Sequence, residues 1–312
     1  MALSEFGLIQ RYFSSPAMIN PLNKLGVGDD CALIKVPAGH EMAITVDTMV
    51  EGVHFFAGTD PGALGKKLLA VNLSDLAAMG AKPVSVTLAL TLPEVSEDWL
   101  KSFSAGFLEC AEKFSVDLIG GDTTKGPLTL TVQAMGVVPE GRALKRSTAK
   151  VGDLIFVTGS GLGEAGLGLK IEQGYQSDFP DHALAKFHMP EPRVQEGLKI
   201  REYASSCIDL SDGIASDLKH ILDKSAVGAL LDWDKLPLSK QVKDYIAQTA
   251  DWEMPLSAGE DYELCFTVSP DKLNAINIVC TQVGVIEQQP GLRIQRFDEV
   301  NELGVKGFEH FS

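Results

Sequence analysis

The sequence predicts an α/β (α+β) protein of two domains, and three observations carry that expectation. Apolar, β-branched runs alternate with stretches of helical period along both halves of the chain. In the first half the long helical stretches stand between strands, which puts helices on one face of a mixed sheet. A break at Pro139-Glu140-Gly141, then the basic stretch RALKRSTAK and a fresh strand DLIFVTG, divides the chain. The first domain is read as residues 1–145 and the second, again α/β, as 146–312.

Each element has its own signal. Residues 31–36 and 42–47 read as strands around a turn at Pro37 to His40. Asp60-Pro61 supplies an N-cap and a proline at the first helical position, and Gly80 a stop, so residues 61–79 form a helix. A β-branched run at 84–92 ends at Pro93, and Ser96 caps a second amphipathic helix over 96–114. Strands near 116–120 and 128–138 flank a GGDTT turn. In the second half, strands fall near 153–158, 206–210, 227–232, 262–268 and 281–287. Helices fall near 161–173, 192–204 and 213–225.

Composition narrows the function. The chain has 312 residues, 45% hydrophobic, enough for a normal globular core. Forty-two acidic against 27 basic residues give a formal charge of −15. A nucleic-acid partner is excluded on that balance, since no basic patch could neutralise a phosphate backbone. A nucleotide would also be repelled: two unit charges about 4 Å apart cost about 4 kcal/mol at an effective dielectric of 20. Metals that reverse the local sign are the remedy. Cys31, Cys110, Cys207, Cys265 and Cys280 are scattered and lack C-x-x-C spacing, so they read as reduced thiols. With no leader-like N-terminus and no run of about 18 apolar residues, the chain is expected to be soluble and cytoplasmic, without a membrane partner.

Aspartates carry the chemical signal. Asp29, Asp30, Asp47, Asp75, Asp122, Asp209 and Asp212 stand at the ends of apolar runs, beside glycine or small residues. Carboxylates delivered from strand and helix ends into one cleft repel unless cations lie between them, and Mg²⁺ usually brings phosphates with it. In the helix at 61–79, Leu64, Leu68, Val71 and Asp75 share one stripe, with Lys66, Lys67, Ala70, Ser74 and Ala77 on a more polar arc. Asp75 thus sits at the negative end of a helix dipole, a placement disfavoured by roughly 0.3–1 kcal/mol. Thr45 and Asp47 share a strand face, so a hydroxyl and a carboxylate can serve one ion. Gly120-Gly121-Asp122-Thr123-Thr124 sets a carboxylate beside two hydroxyls, or is simply a tight hairpin. Asp212 suits an N-cap for the helix at 213–225, whereas Asp209 ends an apolar strand.

Standard phosphate loops are absent. Gly161-Leu162-Gly163-Glu164-Ala165-Gly166 matches G-x-G-x-x-G formally, but no acidic residue stands at a strand end where ribose binding needs it. Gly62 to Lys67 lacks the length and the Ser/Thr of a Walker A loop. No Ser-His-Asp or Cys-His arrangement is evident, and phosphoryl transfer asks for positioning and charge neutralisation rather than a nucleophile. His54 is the one histidine inside an acidic motif; Arg146 could offer bidentate contacts to phosphate.

The motifs in order resemble those of the thiamine-monophosphate kinase family: SEFGLIQRYF, VGDDCAL, TVDTMVEGVHF, AVNLSDLAAMGA, LIGGDTTKGPL, GRALKRSTAKVGD, IDLSDGIASDL, SAGEDYELCF and KGFEHF. Nine segments in register over nearly the whole chain make the resemblance specific. One departure is Gly304, standing two residues before the Lys-Gly pair where the family often has tryptophan. The resemblance implies direct transfer of the γ-phosphoryl group of ATP to thiamine monophosphate, with several Mg²⁺ ions. It implies metal ligands at Asp30, Thr45, Asp47, Asp75, Asp122, Asp209 and Asp212. ATP contacts are implied at Gly121, Asp122, Arg146 and Ser211, and thiamine-substrate contacts at His54, Glu260 and Phe308. It also implies a homodimer formed through the N-terminal sheet. Two alternatives stand beside it: a sister ATP-using synthetase, and a non-catalytic metal-binding protein.

Overall fold

The computed structural model describes residues 5–13 and 18–304, without the side chains of residues 5 and 6. The chain forms two compact units, Met1–Leu76 with Ala81–Arg142, and Ala77–Gly80 with Ala143–Ser312. The first contains α1 (Glu5–Tyr12), β1 (Asn23–Leu25), β2 (Leu33–Ile34), β3 (His40–Val50), most of α2 (Pro61–Ala78), β4 (Lys82–Leu92), α3 (Glu97–Lys113), β5 (Asp117–Lys125) and β6 (Thr129–Pro139). Four strands form a mixed sheet in the order β3-β6-β4-β5, antiparallel except for the β4–β5 pair. One face is apolar: Val86, Leu88 and Leu90 of β4 register with Ala134, Val132 and Leu130 of β6, all buried. The mixed sheet with helices is the predicted class.

Local chemistry sets the helix ends as expected. The Asp60 carboxylate accepts from Ala63 N at 2.8 Å, and Ser96 Oγ accepts from Trp99 N at 3.3 Å. Gly80 closes α2 with φ of 64°.

Two expectations are corrected here. Of the polar arc expected on helix α2 only Lys66 stays half-exposed, paired with Glu109, while Lys67, Ala70, Ser74 and Ala77 are as buried as Leu64 and Leu68. Packing therefore covers the helix on more than its apolar stripe, and on the side of Gly62 and Gly65 it crosses α3 with the two backbones in close approach. A Cβ on Gly65 would stand 2.4 Å from Phe103 O, and one on Gly106 would stand 2.0 Å from Gly62 O. The glycines of Gly62 to Lys67 therefore serve helix packing. The GGDTT segment is also no turn: it lies inside β5, where Gly120 to Thr124 pair in parallel with Thr87 to Thr91. Ladder hydrogen bonds to β4 hold it extended, and a Cβ on Gly121 would reach 1.9 Å from Leu88 O.

The second unit contains β7 (Leu154–Thr158), α4 (Glu164–Glu172), α5 (Pro180–His188), α6 (Val194–Ile200), β8 (Ser206–Asp209), α7 (Ile214–Ser225), β9 (Gly228–Asp232), α8 (Lys240–Thr249), α9 (Met254–Ser257), β10 (Leu264–Val268), β11 (Cys280–Glu287), β12 (Gly291–Arg296) and β13 (Glu299–Glu302). Its sheet runs β13-β12-β9-β11-β7-β10-β8, with only β12 and β9 parallel. A core of Ile155, Val157, Ile208, Leu218, Ile221, Leu231 and Val283 joins the sheet to its helices. Helices α5 and α8 and strands β12 and β13 go beyond the elements expected from sequence.

Candidate functional site

In the first unit, Thr45 and Asp47 lie on the helix-side row of β3, where their partners are Ala134 and Val132 of β6. Asp75 comes from the last turn of α2. The Thr45 hydroxyl donates to Asp75 Oδ2. Burial beside that apolar row and, second to it, the charge of Asp75 together raise Asp47 to a pKa of about 7. The structure thus joins a hydroxyl and two carboxylates that repel each other, as the alternation of β3 and the stripe of α2 predict.

His54 follows at the end of β3. Its Nδ1 accepts from Val50 N at 3.0 Å, so the neutral ring carries its proton on Nε2.

A second group lies at the other edge of the same sheet. A pocket of about 490 Å³ is lined by Asp29, Asp30, Leu88, Gly121, Asp122 and Phe13 among others. Buried Asp117 anchors residues 19–23, which precede the Gly28-Asp29-Asp30 segment, accepting from Ile19 N at 2.7 Å, Asn20 N at 2.8 Å and Asn23 Nδ2 at 2.7 Å. Gly28 takes φ of 120°, and Asp29 Oδ1 accepts from Asp30 N at 2.9 Å. Asp30, Gly121 and Asp122 therefore belong to one pocket, while Thr45, Asp47 and Asp75 stand together elsewhere. Strands β3 and β5 are opposite edges of the sheet.

The second unit carries its own acidic group. Asp209 ends β8, buried to 4% exposure, and Ser211 and Asp212 follow. Asp212 is not the helix cap: Gly213 occupies that position without a side-chain bond, because the chain enters α7 with φ of 96° there. Instead, Asp212 N donates to Asp217 Oδ2 at 3.0 Å. Asp217 is raised to about 8, chiefly by burial and further by the charges of Asp209 and Asp212, against the pull of the Asp212 N–H and Arg146. Sequence reasoning missed Asp217. Its signal was there: it falls on the stripe of Ile214, Leu218 and Ile221, as Asp75 falls on that of α2. Arg146 is exposed, within electrostatic range of Asp217, and its carbonyl accepts from Ser225 Oγ at 2.8 Å.

The formal G-x-G-x-x-G loop has an internal occupant. The carboxylate of Asp261 accepts from Gly163 N at 2.8 Å and Ala165 N at 3.3 Å, where a phosphate would sit in a dinucleotide site. Glu260, beside it, adopts φ of 66°. Phe308 lies outside the described residues.

Among the described residues no three His, Cys, Asp or Glu side chains form one metal-holding group. The donor chemistry nonetheless fits Mg²⁺: the assembled groups offer oxygens, and a divalent ion would favour the ionised form of Asp47 that burial and, second, the charge of Asp75 disfavour.

The models for the N-terminal and C-terminal domains of AIR synthase related protein match residues 28–138 and 150–296. The thiamine-monophosphate kinase of Escherichia coli (strain K12) is 44% identical, covering 100% of this chain and 99% of its own. A crystal structure of the same enzyme from Stenotrophomonas maltophilia K279a has a TM-score of 0.83 at 40% identity, covering 94% of this chain and 97% of that one. A structure of "AaThiL complexed with AMPPCP and TMP" has a TM-score of 0.80 at 28% identity, covering 99% and 97%.

Proposed function

This chain belongs to the thiamine-monophosphate kinase family, and on that premise we propose how its residues carry the reaction. The γ-phosphoryl group of ATP passes directly to a phosphate oxygen of thiamine monophosphate, giving thiamine diphosphate and ADP. The bond to the β-phosphate oxygen breaks as the new P–O bond forms, and no phospho-enzyme intervenes. AaThiL, complexed with AMPPCP and TMP, supports this substrate pair.

One observation in this chain carries the assignment: Thr45, Asp47 and Asp75 meet, with Asp47 driven to a pKa of about 7. Several Mg²⁺ ions are proposed as cofactor, held by Asp30, Thr45, Asp47, Asp75, Asp122, Asp209 and Asp212. When bound, they would neutralise and orient the phosphate oxygens. Gly121 and Asp122, both lining the pocket at the β5 edge, contact ATP, and Arg146 and Ser211 complete the ATP contacts. His54, presenting Nε2–H, binds the thiamine substrate with Glu260 and Phe308.

A homodimer formed through the first sheet is also proposed. Ile44 and Val46 are 60% and 58% exposed on the face of β3 opposite Asp47, an apolar patch in want of cover. All five cysteines are free thiols, which supports the cytoplasm, and among the described residues no helix is long and apolar enough to cross a membrane.

A coupled ADP assay tests the whole. ADP release should require both Mg²⁺ and thiamine monophosphate, and should fail with other phosphorylated vitamins and with aminoimidazole precursors. Turnover with an aminoimidazole compound, or nucleotide binding without any turnover, would replace the assignment.

A further inference from the structure

The Gly259 to Glu263 segment holds a rare backbone. Gly259, Glu260 and Tyr262 take φ of 72°, 66° and 48°. Two of these residues carry side chains, and a left-handed conformation persists there only when the surroundings over-determine it. Such outliers gather where a side chain must be aimed.

The surroundings supply two sets of restraints. On one side the segment zips to the Asp209–Asp212 loop. Glu260 N donates to Ser211 O, Tyr262 N to Leu210 O, and Leu210 N to Glu263 O, each at 2.8 Å. The fit is tight, since a Cβ on Gly259 would stand 2.3 Å from Ser211 O. On the other side Asp261 reaches Gly163 N and Ala165 N at the start of α4. Glu263 accepts from Thr158 Oγ1 at 2.6 Å and Arg193 Nε at 2.7 Å.

Gly163 explains why the cap on α4 is imported from so far along the chain. Its φ is 77°, and a Cβ there would stand 2.5 Å from Pro255 Cβ, so no residue with a side chain fits at the cap. Asp261 takes over the capping, and the same bonds tie down the residue that follows Glu260.

We propose that Asp261 is a positioning residue for the kinase reaction. Its two-oxygen grip on the first turn of α4 holds Glu260 in the left-handed conformation that presents it to the thiamine substrate. The inference rests on the assignment of Glu260 to that substrate. Asp261 touches neither substrate; it acts through Glu260.

Steady-state kinetics on the full chain test it, with D261A, D261N, E260A and E260A/D261A melted in parallel. For D261A, KM for thiamine monophosphate should rise roughly 10- to 100-fold, the scale of a misplaced binding group, while KM for ATP holds. D261N, which keeps one acceptor oxygen, should fall between. The double variant should be no worse than E260A, because Asp261 has nothing left to position. A fall in melting temperature with KM unchanged would make Asp261 a helix cap and nothing more, and additive losses would overturn the link to Glu260. If D261A does not fold, the same readouts on D261N and E260A/D261N decide. An E260A variant with unaltered KM would sink the substrate role of Glu260 itself; a defective E260A beside a silent D261A would sink only the positioning role.

Discussion

Replacing Asp75 with asparagine should strengthen the metal-free protein at high pH while stopping catalysis. The shape is kept, and an amide oxygen still accepts from Thr45. The charge beside Asp47 is lost. Asp47 moves from an ordinary 3.8 to about 7 on folding, a shift worth on the order of 4 kcal/mol above neutrality. Burial is the larger cause, so the charge of Asp75 accounts for less than half. Discounted for partial exposure, it amounts to about 1 kcal/mol. The sign follows from the raised carboxyl: stability is full below 3.8 and is lost as pH rises through about 7. D75N should therefore melt about 2–4 °C higher than wild type at pH 8.5 in EDTA, with most of that gain gone at pH 5.5. With Mg²⁺ and both substrates, turnover should fall roughly 100- to 1000-fold, as when one preorganised charge-stabilising group is removed. Normal turnover would end the metal assignment, and equal destabilisation at both pH values would show a purely structural carboxylate.

Three further outcomes are expected. G65A should lower stability by about 1–3 kcal/mol or more, since the new methyl meets only backbone, Phe103 O at 2.4 Å and Phe107 N at 2.9 Å; an unchanged urea midpoint would contradict the close crossing. R193A should cost about 3–5 kcal/mol by stranding the charge of Glu263, which is buried to 3%, and E263Q in the same background should recover part of that in urea melts. Asp261 is raised to about 7 by burial, against the two N–H groups that favour its charge, so it removes stability as pH climbs from 4 to 7. The fall in melting temperature across that range should be shallower in D261N.

Much of this site was legible in the chain itself. Alternation along β3 placed Thr45 with Asp47, and helical period aimed Asp75 along the apolar side of α2, because both periodicities are local geometry. The same arithmetic reaches Asp217 on α7. The misjudged features are those in which a distant partner overrides a local preference. Lys67 and Ser74 are buried by tertiary packing that the helical period does not reveal. Gly120 to Thr124 are extended because β4 runs alongside. Asp212 yields the cap of α7 to Gly213 and donates to Asp217 instead.

The order of acidic motifs, the absence of a standard phosphate loop and the charge of −15 therefore follow from the sequence alone, since they are properties of composition and short-range spacing. Which carboxylates meet is another matter. That β3 and β5 lie at opposite sheet edges, parting Asp47 from Asp122, depends on strand order. That Asp261 fills the start of α4 depends on a contact between residues 98 apart. Long-range packing decides both, because no local preference says which strand or loop will be the neighbour.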